Sequence, residues 1–266
     1  MKLTSITIII RRSVFSPLTP NPSPTRGEGS TSPSPAPLPQ EVRGVSLALL
    51  RLLQLCSPAL PVGAYAYSQG LECAVERRWV RDEASASDWI LGLLRHSVRR
   101  LDLPVFTRLY TAWRAVDVAE IHRWNAQLYA SREAAELQRE DQHLGAALAR
   151  LLTDLGIEEA EPWRNTSRVC FATLFSLATV KWEIALPEAA AGYAWAWVEN
   201  QIAAATRLIP LGQTAGQRLL ITAGPVLLDV VREGLALPDE DIGAAAPGLA
   251  LAGTLHETQY SRLFRS

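Results

Sequence analysis

Residues 131–155 read Ser131-Arg-Glu-Ala-Ala-Glu-Leu-Gln-Arg-Glu-Asp-Gln-His-Leu-Gly-Ala-Ala-Leu-Ala-Arg-Leu-Leu-Thr-Asp-Leu155, with Gly156 next. Leu137, Leu144, Leu148, Leu151 and Leu155 fall on one stripe at 3.6 residues per turn. A run this long, with no proline and no alternation, is a helix and not a strand. Gly156 is placed to end it, because a residue without Cβ adopts a left-handed stop at little cost. The opposite side carries Arg132, Glu136, Arg139 and Glu140. It reads as a charged face turned to solvent or to a partner.

The same period recurs on both sides. Upstream, Leu49, Leu52, Leu53 and Cys56 form the apolar face of a helix from Val45 to Pro58, and Ser68–Arg78 reads as a second helix. Ser85-Ala-Ser-Asp88 resembles a capping box and opens a helix to about Leu101, with Trp89, Ile90, Leu93 and Leu94 inward. Another follows from Asp102 to about Ala115, with Pro104 tolerated in its first turn. Asp117-Val-Ala-Glu120 has cap spacing and starts a helix to Ala130. Downstream, helices are expected over about 167–184, from Pro187 to Ile209, and over Thr214–Glu233. The last is apolar almost all round, hence central, and Gly224-Pro225 should kink or split it. After Gly234 the chain turns Pro-, Gly- and Ala-rich and ends in a polar tail without packing period. The fold class is all-α: one domain of about nine or ten helices over 45–254, with a tail at 255–266.

Residues 1–44 differ. Eight of the 17 prolines lie between Pro17 and Pro39, among Ser, Thr and Gly, which reads as a disordered extension. The string from Pro17 to Gly29 resembles a translated intergenic repeat of bacterial genomes, which would put the natural start downstream.

Composition narrows the function. The chain has 266 residues and a net charge of −1, too little excess Lys and Arg for nucleic acid as the main partner. Three cysteines, Cys56, Cys73 and Cys170, form no CxxC pair, so neither a disulfide framework nor a zinc site is indicated, and a cytoplasmic setting fits. No apolar run reaches the roughly 18 residues of a membrane span. There is no GxxxxGK[ST], GxSxG or HExxH. Glu140-Asp-Gln-His143 is a single ExxH, whereas helical di-metal carboxylate proteins use two with two further glutamates. That leaves a di-metal protein, or a helical ligand-binding regulator, as rival readings.

Pro58-Ala-Leu-Pro-Val-Gly-Ala-Tyr-Ala-Tyr-Ser-Gln-Gly-Leu-Glu72 interrupts the helices. Two prolines stiffen it and two glycines permit backbone that other residues resist. On pattern alone it is a packed connection. Glu199-Asn-Gln201 and Arg207 lie in an otherwise apolar helix and either brace neighbours or face a groove. Leu211–Gln217 opens a helix whose first N–H groups could hold an anion, or whose glycines serve close helix packing. Tyr260, Leu263 and Phe264 with Arg262 and Arg265 suit a tail that orders on binding.

Three segments together resemble one family. Leu52–Glu72 resembles the opening of the urease accessory protein family UreF, Leu208–Gln217 its second signature, and His256–Ser266 its C-terminal end. Ser131–Glu136 fits between them. The resemblance covers about residues 45–266. It implies an all-α homodimer without catalysis of its own and with no tightly bound cofactor. It implies a scaffold between a UreD/UreH-type protein and a UreG-type GTPase, for loading nickel into apo-urease. The GTPase binds the GTP, and the complex handles the nickel. Carried over by motif, Tyr65, Ser68, Glu72, Arg207, Gln213 and Gln217 are expected to face the GTPase. His256, Glu257, Gln259, Tyr260, Ser261, Arg262, Leu263 and Phe264 are expected to face the UreD/UreH-type protein. Cys56 and Ala66 depart from the family's frequent Ala and Ser, and the Pro-rich leader is no part of its pattern.

Overall fold

The computed structural model describes residues 46–243 and 246–266, so the Pro-rich extension and the start of the first helix at Val45 lie outside the described residues. Among the described residues there are ten α-helices and no strand. They are α1 Leu47–Cys56, α2 Leu71–Glu76, α3 Glu83–Leu93, α4 Leu103–Ala115, α5 Val118–Ala130, α6 Ala135–Asp154, α7 Phe171–Lys181, α8 Leu186–Leu208, α9 Gln213–Leu235 and α10 Pro247–His256.

The centre is α4, α7 and α8. Phe106 stacks on Tyr193 with ring centroids 5.2 Å apart, and Phe175 meets both rings edge-on. All of these rings are buried. The long α6 packs Leu137, Leu144, Leu148 and Leu152 inward, while Leu155, expected on the stripe, is half exposed beyond the last turn. Gly156 ends the helix at φ +86°.

α6 crosses the chain before α7 at Gly145. A Cβ there would lie 2.6 Å from the Val169 carbonyl oxygen and 3.0 Å from two more backbone atoms. Backbone cannot swing aside as a side chain does. Gly145→Ala is therefore expected to cost about 2–3 kcal/mol in urea unfolding. A loss under about 0.5 kcal/mol would mean that α6 slides freely at this crossing.

Several expected details are corrected. α3 starts at Glu83 because Asp82 is the cap: its carboxylate accepts from Ser85 N–H at 2.9 Å and the Ser85 hydroxyl accepts from Asp82 N–H at 3.1 Å. Ser85 belongs to the box, but as its far partner. α3 and α4 do not break at Asp102. Leu94–Asp102 continues as a widened π-turn segment. Pro104 cannot donate to Arg100, so the Arg100 carbonyl accepts instead from Gly243 N–H at 3.0 Å. α1 buries Leu55 and half-buries Leu52 and Cys56, whereas Leu49 and Leu53 point outward. α2 is shorter than read, and α7 begins at Phe171.

α9 runs unbroken through Gly224-Pro225. Pro225 sits on the exposed side, where water reaches the carbonyl it leaves unpaired. The helix is not apolar all round in its burial. Ala215, Leu219, Ala223, Leu227 and Val230 face in, and Ile221 and Leu228 face out. The Gly- and Ala-rich stretch after Gly234 holds a tenth helix, α10, which lies against small residues. A Cβ on Gly253 would meet the Ala134 Cβ at 2.8 Å.

Candidate functional site

The loop between α1 and α2 is built from its backbone outward. A short 3₁₀ turn spans Ala64–Ala66, and Tyr67 N–H donates to Ala64 O at 3.1 Å. Gln69 takes φ +51° and Gly70 φ +76° before α2. A left-handed non-glycine residue costs about 1 kcal/mol and persists where its surroundings hold it. Here Gln69 Oε1 accepts from the Trp197 indole at 2.6 Å, and its amide donates to Glu140 Oε1 at 2.8 Å.

The polar side of α8 reads the rest of the loop. Asn200 Nδ2 donates to Tyr67 O at 3.1 Å, Gln201 Nε2 to Ser68 O at 3.2 Å, and Arg207 Nη1 to Tyr65 O at 3.3 Å. Asn200, Gln201 and Arg207 thus brace a neighbouring segment. Beneath the loop lies a cavity of about 210 Å³, with Cys56, Gln69, Glu140, Tyr193 and Trp197 among its walls. Burial, with Glu199 nearby, pushes the Cys56 thiol up to about 12, so it is no nucleophile near neutrality.

The tail closes over this loop. Glu72 accepts from Leu263 N–H at 2.6 Å, from Phe264 N–H at 2.8 Å, and meets His256 Nε2 at 3.2 Å. The other ring nitrogen of His256 lies 2.7 Å from Glu136 Oε2. Arg262 Nη1 bonds Glu136 Oε1 at 2.9 Å. Two acidic side chains, Glu72 and Glu136, face His256 and Arg262, and His256 is wholly buried between them. Farther along, Arg265 N–H donates to Ala66 O at 2.8 Å and Ser68 N–H to the main-chain oxygen of Ser266 at 2.9 Å. The Ser266 hydroxyl donates to Glu140 Oε2 at 2.9 Å.

A second buried set lies behind. Arg132 bonds Asp102 at 2.6 Å and Asp141 at 2.9 Å. Asp141 also accepts Phe171 N–H at 2.6 Å, at the start of α7, and Tyr193 donates to Asp102 at 3.3 Å. Burial opposes the Arg132 charge, but the two carboxylates outweigh it and hold the guanidinium well above its ordinary value.

The family model of UreF matches residues 80–224. The urease accessory protein UreF of Alkalilimnicola ehrlichii is 52% identical over 220 residues, which is 83% of this chain and 96% of that protein. The chain belongs to the UreF family of urease accessory proteins. Its UreF relatives in Hahella chejuensis and Teredinibacter turnerae are 49% and 50% identical, over 83% and 82% of this chain and 99% and 98% of theirs.

In this UreF-family chain the residues picked from the motifs divide by exposure. Tyr65 is 63% exposed, and Arg207, Gln213 and Gln217 are also at the surface. Arg207 ends α8 and Gln213 opens α9, so both flank the turn at Pro210. Ser68 and Glu72 are buried and occupied by the tail. On the tail, Tyr260, Ser261 and Leu263 are exposed, His256 and Phe264 are buried, and Gln259 bonds Ser261 O. Glu257 is half-buried, with Arg139 3.9 Å away.

The charged face of α6, read as turned to solvent or to a partner, is corrected in part: Glu136 and Glu140 are buried under α10 and the tail, while Arg139 is exposed. The tail, read as lacking a packing period and suited to ordering on binding, is seated on this chain by Phe264 and Ser266. The ExxH pair is used for hydrogen bonding, His143 Nδ1 lying 2.7 Å from the Tyr67 hydroxyl. Among the described residues no group of three or more His, Cys, Asp or Glu is placed to hold a metal ion. Glu136, Gln69 and Glu140 were missed as site residues. Of these only Glu136 carried a signal, its charge complementing Arg262 on the tail.

Proposed function

We propose that this chain is a non-catalytic scaffold in urease maturation, bridging a UreD/UreH-type protein and a UreG-type GTPase while nickel is loaded into apo-urease. The GTPase contributes the nucleotide site, and nickel is cargo of the whole complex. The scaffold works as a homodimer in the cytoplasm, its two-fold axis offering two equivalent docking faces to a GTPase pair. Tyr65, Arg207, Gln213 and Gln217 meet the GTPase, with Ser68 and Glu72 shaping the loop behind them. The exposed part of the tail, with Tyr260 and Leu263 as anchors, meets the UreD/UreH-type protein.

The observation that supports this reading is that the loop carrying Tyr65 is fastened on one side by Arg207 and on the other by the tail. Two segments assigned to different partners are thereby parts of one rigid unit. Rigidity lowers the ordering cost of docking.

The test uses exposed residues, whose loss leaves the core intact. Arg207→Ala is expected to weaken GTPase recruitment to the scaffold–UreD/UreH-type complex by about tenfold or more in light scattering and titration. Tyr260→Ala with Leu263→Ala should weaken binding of the UreD/UreH-type protein alone by a similar factor. Wild-type affinity in either case removes that surface from the proposal.

A further inference from the structure

Main-chain bonds hold the end of the chain, from Arg265 N–H to Ala66 O and from Ser68 N–H to Ser266 O, and the Ser68 hydroxyl donates to the same Ser266 oxygen. The Ser266 hydroxyl in turn ends on the carboxyl group of Glu140, which is 3% exposed. Its other oxygen takes the Gln69 amide. Among the described residues no cation bonds this carboxyl: Arg132, whose charge reaches it only through space, is bonded to Asp102 and Asp141. A buried carboxylate with two neutral donors is poorly compensated for lost water.

We propose that docking of the Arg265–Ser266 end onto the Ala66–Gln69 loop takes up a proton at Glu140, so that acid holds the end down and alkali releases it.

Every element around Glu140 contributes to the balance. On α6, Glu136 is tied to His256 and Arg262, Asp141 to Arg132, and His143 to the Tyr67 hydroxyl. The loop adds Tyr67 and Gln69, and α8 adds the neutral Trp197 through Gln69. The tail adds Arg265, which acts on Tyr67 rather than on Glu140. Burial raises Tyr67 above its usual alkaline range, so it does not change charge near neutrality.

Burial is the largest influence on Glu140. The Gln69 and Ser266 bonds oppose it, Asp141 adds to it, the Arg132 charge opposes it, and the carboxyl is pushed from 4.5 up to about 7. Release of the end removes the Ser266 lid and admits water, which returns the group toward its ordinary value. An acid raised in the docked state favours docking when protonated. Its contribution is complete below about 4.5 and lost as pH climbs through about 7.

Hydrogen exchange at the Ser68 and Arg265 amides of the full chain reads this equilibrium. Comparison with Glu140→Gln at the same pH cancels the intrinsic pH dependence of exchange. Wild-type protection relative to the variant is expected to fall about tenfold between about pH 6 and about pH 8. Parallel profiles overturn the proposal. Should Glu140→Gln fail to fold, the side-chain carboxyl of Glu140 can be titrated by carbon NMR in the wild type. A midpoint above about 6 supports proton uptake, and one below about 6 overturns it.

Discussion

Glu72→Ala is expected to cost the fold about 3–5 kcal/mol and to free the tail beyond α10. Glu72 holds two successive tail amides, those of Leu263 and Phe264, together with His256. Its removal leaves both amides without a partner under Phe264 and leaves His256 with Glu136 alone. Each lost bond to a charged group is worth about 1.5–3 kcal/mol, and the stranded donors add desolvation cost. Two measurements check this: the midpoint of urea unfolding, and exchange at the Phe264 amide. Retained protection at Phe264 with a small shift in midpoint would show that Arg262 and Ser266 hold the tail by themselves. Glu72→Gln, which keeps an acceptor, should recover part of the loss. The same logic warns against reading a loss of partner binding in Glu72→Ala as loss of a contact, since the residue is buried.

Arg132→Ala is expected to be as damaging, at about 4 kcal/mol or more, and to leave little soluble protein. The guanidinium is the counter-charge for Asp102 and Asp141, which lie on different helical segments and are both buried. Alanine would strand two carboxylates at the junction of the π-turn segment, α6 and the start of α7. The mechanism predicts its own rescue. Arg132→Met combined with Asp102→Asn and Asp141→Asn removes all three charges at once. That triple variant should regain most of the lost stability, because well-packed neutral groups replace buried ion pairs at little cost. If it is no more stable than Arg132→Ala, then packing of the arginine stem, and not its charge, carries the effect.

Local rules made much of the helical frame legible. The 3.6 period placed α4, α5, α6 and α8 within a few residues, and Asp117 caps α5 as its spacing suggested, with Glu120 N–H at 3.1 Å. Pro187 and Pro210 bracket α8 as first-turn and terminating prolines do. What failed were judgements that depend on distant chain. The acids on α6 look solvated when only their own helix is considered. They are buried because a helix and a tail more than 110 residues later lie over them. α1 looked anchored by Leu49 and Leu53, yet a single helix cannot say which of two apolar sides meets the body. The site divides the same way. Tyr65, Ser68 and Glu72 came from the family motif in the loop, whereas Gln69 and Glu140 matter only through each other. Pro104 signalled a helix start, but the Gly243 amide that satisfies the freed carbonyl let the helix continue.

The placement of α10 has a kinetic consequence. α10 is clamped between α2 and α6, with Ala252 against Gly70 and Gly253 against Ala134. A released tail is therefore a short tether fixed at its base, and its ten residues from Glu257 reach on average only about 17 Å. Its own groove is always within that reach, at an effective concentration in the millimolar range. A partner that captured the released tail would compete with this rebinding, whereas one that bound the exposed Tyr260 and Leu263 side chains of the docked tail would not.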